Sequence, residues 1–86
     1  MSKFEKIIQK VLSGSADRNI DFKDLCNLLE TLGFDNRIKG SHHIYFKEGI
    51  TELINLQPIN NKVKPYQVKQ VRELLIKYKL ITIKDE

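Results

Sequence analysis

The feature that most constrains this chain is a change of hydrophobic period at Gly33 and a change back at Pro65. Ahead of Gly33, Leu25, Leu28, Leu29 and Leu32 recur at three- and four-residue steps, which lines them up on one face of a helix. After Phe34 the stretches Arg37–Phe46 and Ile50–Leu56 are β-rich, with side chains falling on alternate faces. From Pro65 onward Val68, Val71, Leu75 and Tyr78, with Leu74 beside them, restore the helical step. A chain of 86 residues has room for one core only. Helix, strands and helix in that order predict an α+β fold, one antiparallel sheet with helices on one face.

Turn residues set the boundaries. Asp21 is suited to cap a helix, with Asp24 where a carboxylate meets the helix dipole, and Gly33 supplies the stop. Gly40-Ser41 divides the β-rich region into strands over Asp35–Lys39 and His42–Phe46. Lys47-Glu48-Gly49 then predicts a three-residue hairpin loop closed by a left-handed Gly, leading to a third strand over Ile50–Leu56. Pro58 ends that strand, Asn60-Asn61 opens a polar loop, and Pro65 suits the first turn of the last helix.

Phe4, Ile7, Ile8, Val11 and Leu12 trace an additional amphipathic stripe, cut off by Ser13-Gly14-Ser15-Ala16. Residues 1–20 therefore read as an N-terminal extension with its own helix, and residues 21–83 as the main domain. The tail Leu80–Ile83 predicts a short extended segment, and Lys84–Glu86 a frayed end. On the second strand His42, Ile44 and Phe46 share one face while His43 and Tyr45 share the other, so both sides of the sheet carry apolar groups. The extra first helix, or a partner protein, is expected to cover the second side.

The apolar and charged residues alternate from the start, without the continuous apolar stretch of a secretory signal or membrane span, which predicts a cytoplasmic protein. A lone Cys26 among leucines reads as a small hydrophobe, and no disulfide can form within the chain. The net charge of +4 is unevenly placed: up to Asn36 there are five Lys/Arg against six Asp/Glu, and from Arg37 on ten against five. Lys62, Lys64, Lys69, Arg72, Lys77 and Lys79 face only Glu73 over eighteen residues. That density suits a polyanion such as nucleic acid, though an anionic membrane, an acidic protein or a plain solvated face accounts for it too.

Chemistry concentrates in Gly40-Ser41-His42-His43. Histidine as a residue type titrates near pH ~6.5, which suits proton transfer near neutrality. This toolkit fits a ribonuclease, because RNA carries its own nucleophile in the 2′-hydroxyl. The enzyme then needs a base and cationic donors, and neither a metal nor a cofactor. Adjacent strand residues project to opposite faces, so His42 and His43 cannot share one metal ion, and no metal site is expected. Asp35 and Glu48 have no spacing that would complete a Ser41-His42 hydrolytic set, and phosphate-cradling glycine motifs are missing.

The run from Asp24-Leu25-Cys26 through Leu32-Gly33-Phe34, and then Arg37-Ile38-Lys39-Gly40-Ser41-His42-His43-Ile44-Tyr45, resembles the core of the HicA toxins, small mRNA interferases of bacterial toxin–antitoxin pairs. Ile54–Pro58 resembles that family's third strand, and Lys62-Val63-Lys64-Pro65 with the helix over Val68–Leu80 its closing helix, so the resemblance spans roughly residues 22–80. It implies an α-β-β-β-α fold like that of double-stranded-RNA-binding domains, here with an added N-terminal helix. It implies a metal-independent endoribonuclease acting on mRNA, with His42 as the catalytic base, Gly40 and Ser41 in support and His43 a variable neighbour. A HicB-type antitoxin is the implied partner. Lys39, Lys64, Lys69 and Arg72 are the candidate phosphate contacts by charge and position. Two departures from the family pattern stand out: residues 1–20 are extra, and Asn55-Leu56-Gln57-Pro58-Ile59 replaces a more basic, histidine-containing strand end. The alternative readings are a non-catalytic RNA-binding module of the same fold and a purely protein-binding domain.

Overall fold

The structure, a computed structural model, describes residues 3–81. Helix α1 (Lys3–Ser13) is followed by a short 3-10 turn (Asp17–Asn19) and helix α2 (Phe22–Thr31). Strands β1 (Asp35–Lys39), β2 (His42–Lys47) and β3 (Ile50–Leu56) come next, then a small hairpin of β4 (Pro58–Ile59) and β5 (Lys62–Val63), and helix α3 (Pro65–Lys77). The first three strands form an antiparallel sheet in the order β1-β2-β3. This is the α+β arrangement expected from the period changes, with the extra helix in front.

Register decides which side chains meet the helices. Tyr45 pairs with Ile54 and His43 with Leu56, so these four share the face that packs on α2 and α3. Tyr45, Ile54 and Leu56 are fully buried there with Leu25, Leu28, Leu29, Val68, Val71 and Leu75. The opposite parity puts Lys39 and His42, Arg37 and Ile44, and Asn55 on the other face.

Helix α2 ends as the Leu-Gly-Phe sequence predicts. Gly33, at φ 94°, takes the left-handed position that a Cβ would disfavour. Its N–H reaches the Glu30 carbonyl and that of Phe34 the Leu29 carbonyl, each at 3.0 Å, which satisfies two carbonyls of the last turn. The start of α2 differs from expectation. Asp21 occupies the N-cap position, but its side chain makes no capping bond and is paired with Lys62 instead. The hairpin explains the exchange: Phe22 N–H donates to the Asn61 carbonyl at 2.9 Å, and Val63 N–H to the Ile20 carbonyl at 3.0 Å. The Asn60-Asn61 segment is thus an ordered turn, with both residues at positive φ as a type I′ turn requires, joining two strands of only two residues each.

The connection between β2 and β3 is also shorter than expected. Lys47 pairs with Ile50 and so belongs to β2, leaving a two-residue link, Glu48-Gly49, in which Gly49 retains the left-handed φ of 90°. Between Tyr45 and Lys47 the register shifts, so three β3 residues from Thr51 to Leu53 stand opposite Phe46 alone.

Helix α1 lies against α2 and α3. It buries Ile7 and Val11 in the shared core and, among the described residues, leaves the far side of the sheet uncovered, which corrects the expectation that it covers that side. The helix layer is where its apolar stripe finds a continuous surface. Leu80 and Ile81 also pack against this core, and the remainder of the extended tail expected over Leu80–Ile83 lies outside the described residues, as does Lys84–Glu86.

Candidate active site

Gly40 has φ 62° and Ser41 does not enter the positive region, the pattern of a tight hairpin turn that needs Gly at its first central position. The turn closes on the Lys39–His42 pair and sets those two side chains next to each other on the uncovered face. His42 is exposed, and its Nδ1 lies 3.1 Å from Oδ1 of Asn55 on β3. Gln57, just past β3, donates from Nε2 to Ser41 Oγ at 3.2 Å, while its own N–H donates to Gln67 Oε1 at 3.3 Å. Gln67 is buried in the first turn of α3. A continuous set of hydrogen bonds therefore ties the Gly40-Ser41 turn to the start of α3, where Lys64 stands over the Tyr66 ring, 5.9 Å from its centroid.

His43 does something else. Its ring meets Phe22 edge to face, at 4.8 Å between centroids, on the helix side of the sheet. The two imidazoles are thus on opposite faces, as the strand period requires, and no three His, Cys, Asp or Glu side chains gather to hold a metal ion among the described residues. Below His43 the Tyr45 hydroxyl donates to Glu30 Oε2 at 3.2 Å. Burial pushes the Tyr45 phenol and the Cys26 thiol up from their ordinary values, which keeps both protonated and the thiol unreactive.

The basic run of the second half is dispersed by folding. Lys62 is paired with Asp21, and Lys77 Nζ with Glu52 Oε2 at 2.7 Å. Arg72 donates from Nη1 to Asp17 Oδ1 at 2.9 Å and to the Val11 carbonyl at 3.1 Å, and from Nη2 to Asp17 Oδ2 at 3.2 Å. Its side chain keeps only 17% exposure, and the sites it joins belong to α1, the 3-10 turn and α3. Arg72 is thus a strut inside the helix layer. Lys64 stands at the N-cap position of α3 without a side-chain capping bond and Lys69 is exposed on the helix, so of the four cations chosen from sequence only Lys39 stands on the His42 face.

Arg37 joins it there. It pairs with Ile44, one row along from the Lys39–His42 pair, and among the described residues neither Arg37 nor Lys39 has a carboxylate in ion-pair range. Sequence reasoning passed over Arg37, although its spacing of two from Lys39 in one strand was the available signal. In the sequence Asn55 and Gln57 stand out only as departures in composition; their partners become visible once β3 is in register with β2.

A family model for the HicA toxins of bacterial toxin–antitoxin systems matches residues 22–78. The chain belongs to the HicA family. The matched span opens at the first residue of α2 and closes at the C-cap of α3, so the HicA unit comprises helix, three strands, hairpin and helix, and α1 precedes it. No curated protein and no solved structure matches the chain. Within the HicA unit, Gly40, Ser41 and His42 form the turn and first strand position of β2, where no element among the described residues covers them.

Proposed function

We propose that this HicA chain is an endoribonuclease that cleaves mRNA without a metal ion and is held in check by a HicB-type antitoxin. The observation that carries the reading is the placement of His42: an exposed imidazole, oriented by a neighbouring amide, beside two cations that have no carboxylate partner among the described residues. In the proposed step His42 Nε2 takes the proton of a ribose 2′-hydroxyl. The 2′-oxygen attacks phosphorus, the bond from phosphorus to the 5′-oxygen breaks, and that oxygen leaves with the electron pair and is protonated by solvent. The products are a 2′,3′-cyclic phosphate, open to later hydrolysis, and a 5′-hydroxyl. Lys39 and Arg37 offset the charge that builds on the phosphoryl oxygens.

At the start of α3, tied to the turn through Gln57 and Gln67, Lys64 and Tyr66 offer a second contact apart from the His42 face. Tyr66 is 65% exposed and offers an aromatic face on which an unpaired base can stack, with the Lys64 charge close by for the backbone. Single-stranded message suits this arrangement better than a duplex. The cytoplasm, where message is found, is the proposed compartment, and no helix among the described residues is long and apolar enough to cross a membrane.

The test is cleavage of a single-stranded RNA in excess EDTA by the wild-type chain and by His42→Ala. Loss of at least ~100-fold in His42→Ala is expected, in line with the range for general base catalysis. Equal rates would remove His42 from the mechanism, and RNA retained uncut by the wild type would favour the non-catalytic binding module.

A further inference from the structure

We propose that Asn55 is the positioning residue of this site: its side-chain amide holds the His42 ring in one tautomer, with the proton on Nδ1 and the lone pair of Nε2 presented to the substrate. The inference deepens the reading of His42 as a base and rests on it.

The register supplies the geometry. Asn55 pairs across β2–β3 with Ile44, two residues along from His42, so the two side chains are diagonal neighbours on the uncovered face. Such neighbours have Cα atoms roughly 7–8 Å apart, a gap that an imidazole and an amide together span. The resulting contact, Nδ1 to Oδ1, is 3.1 Å. A carboxamide oxygen only accepts, so the imidazole nitrogen facing it carries the hydrogen. The other nitrogen is left unprotonated and turned away from β3, which is the state a general base must be in before it acts. Orientation of a base through its second nitrogen by a fixed acceptor recurs in nucleophile–base–orienter sites.

An amide serves here better than a carboxylate. The charged groups facing His42 are Lys39, directly opposite on β1, and Arg37 one row further on. From the β3 side it meets Asn55, with Gln57 beyond at the turn, both neutral, and no helix packs on this face among the described residues. An acceptor without charge fixes the tautomer while leaving both cations available to a phosphate. A carboxylate at position 55 would favour the imidazolium and repel the phosphate. The Gln57 to Ser41 bond braces the same turn from its other side, so the ring is held at its backbone and at its far nitrogen.

The first measurement is made on the wild-type chain without RNA. Nitrogen-15 correlation spectra, recorded in alkaline buffer where imidazoles are neutral, are expected to show Nδ1 protonated and Nε2 bare; the opposite tautomer, or an average of the two, overturns the proposal. Variants supply the second. Asn55→Ala is expected to lower kcat about 10–100-fold with KM little changed and to give a mixed tautomer, the loss typical when a supporting hydrogen bond is removed. Asn55→Asp retains the acceptor, restores the single tautomer and shifts the acid limb of the rate profile upward by about one pH unit. Asn55 is exposed, so both variants should fold, which circular dichroism verifies. A wild-type rate in Asn55→Ala, or superimposable pH profiles for Asn55→Asp and wild type, overturns the positioning role. His42→Ala in the same assay separates the two readings: if it cleaves normally the base assignment fails, while the tautomer measurement still decides whether the amide orients the ring.

Discussion

Asn55 and Arg72 show how far a side chain's role depends on its partner. Arg72 has the charge expected of a phosphate ligand, yet Asp17 and the Val11 carbonyl hold it within the helix layer. Asn55 has no charge and sits beside the one imidazole on the uncovered face. Glu52 is a third case. The Lys77 ammonium, and after it the Tyr78 hydroxyl, hold its carboxyl down to about 2 from an ordinary 4.5. A lowered carboxylate pKa means that the pair's stabilisation is complete above pH 4.5 and is lost as the pH falls through about 2. Lys77 is correspondingly raised, so at the alkaline end the same contact persists up to its ordinary value of 10.5 and fades above the raised one. Lys77 is largely in solvent and Glu52 partly so, which keeps the effect small. Melting temperatures of wild type and Glu52→Gln between pH 5 and pH 2 should therefore converge as acid is added, and parallel curves would count against the pairing.

At the scale of elements, much was legible. The Gly40-Ser41 break, the Leu-Gly-Phe helix end and Pro65 each state a local backbone requirement, and the structure meets all three where expected. What could not be read depends on partners distant in sequence. Asp21 looked like a cap because nothing local shows that Asn61, forty residues later, delivers a carbonyl to the same helix end. The β4–β5 hairpin escaped notice since two-residue strands carry no period, even though Asn-Asn is suited to its turn. Arg37 and Asn55 stayed hidden for the same reason as Arg72: cross-strand and cross-helix partners are set by register and packing. Helix α3 adds a case of its own. Lys79, at φ 52°, occupies the left-handed position after the helix, with Lys79 N–H bonded to the Ile76 carbonyl and Leu80 N–H to the Leu75 carbonyl. A lysine there forgoes the freedom of glycine, so Lys79→Gly should stabilise the protein by about 1 kcal/mol. In a chain of this size that is a rise of roughly 4–8 °C in Tm, and an unchanged or lower Tm would show the strain to be absent.

For the molecule as a whole, the family match and the core do not have the same limits. The match begins at Phe22, whereas Ile7, Val11 and Ile20 are buried with the residues of α2 and α3. Arg72 fastens the two parts from the inside. Helix α1 is therefore expected to melt with the rest. Ile7→Ala should cost about 2–4 kcal/mol, a large share of the ~4–13 kcal/mol that a chain of this length has in total. The loss should appear as one cooperative transition seen equally by helical signal and by tyrosine fluorescence. Separate loss of helical signal before the tyrosine change would mean that α1 is an independent appendage.

The alternation along β2 has a final consequence. Tyr45 anchors the centre of the core and His42 aims outward from the same short strand, three residues away, so one register governs both. A chain that slipped by one position would turn the imidazole inward only by expelling the tyrosine into solvent, at the cost of the core that Tyr45 fills. Folding thus fixes the direction of the imidazole as well, because the register that buries Tyr45 is the one that turns His42 outward.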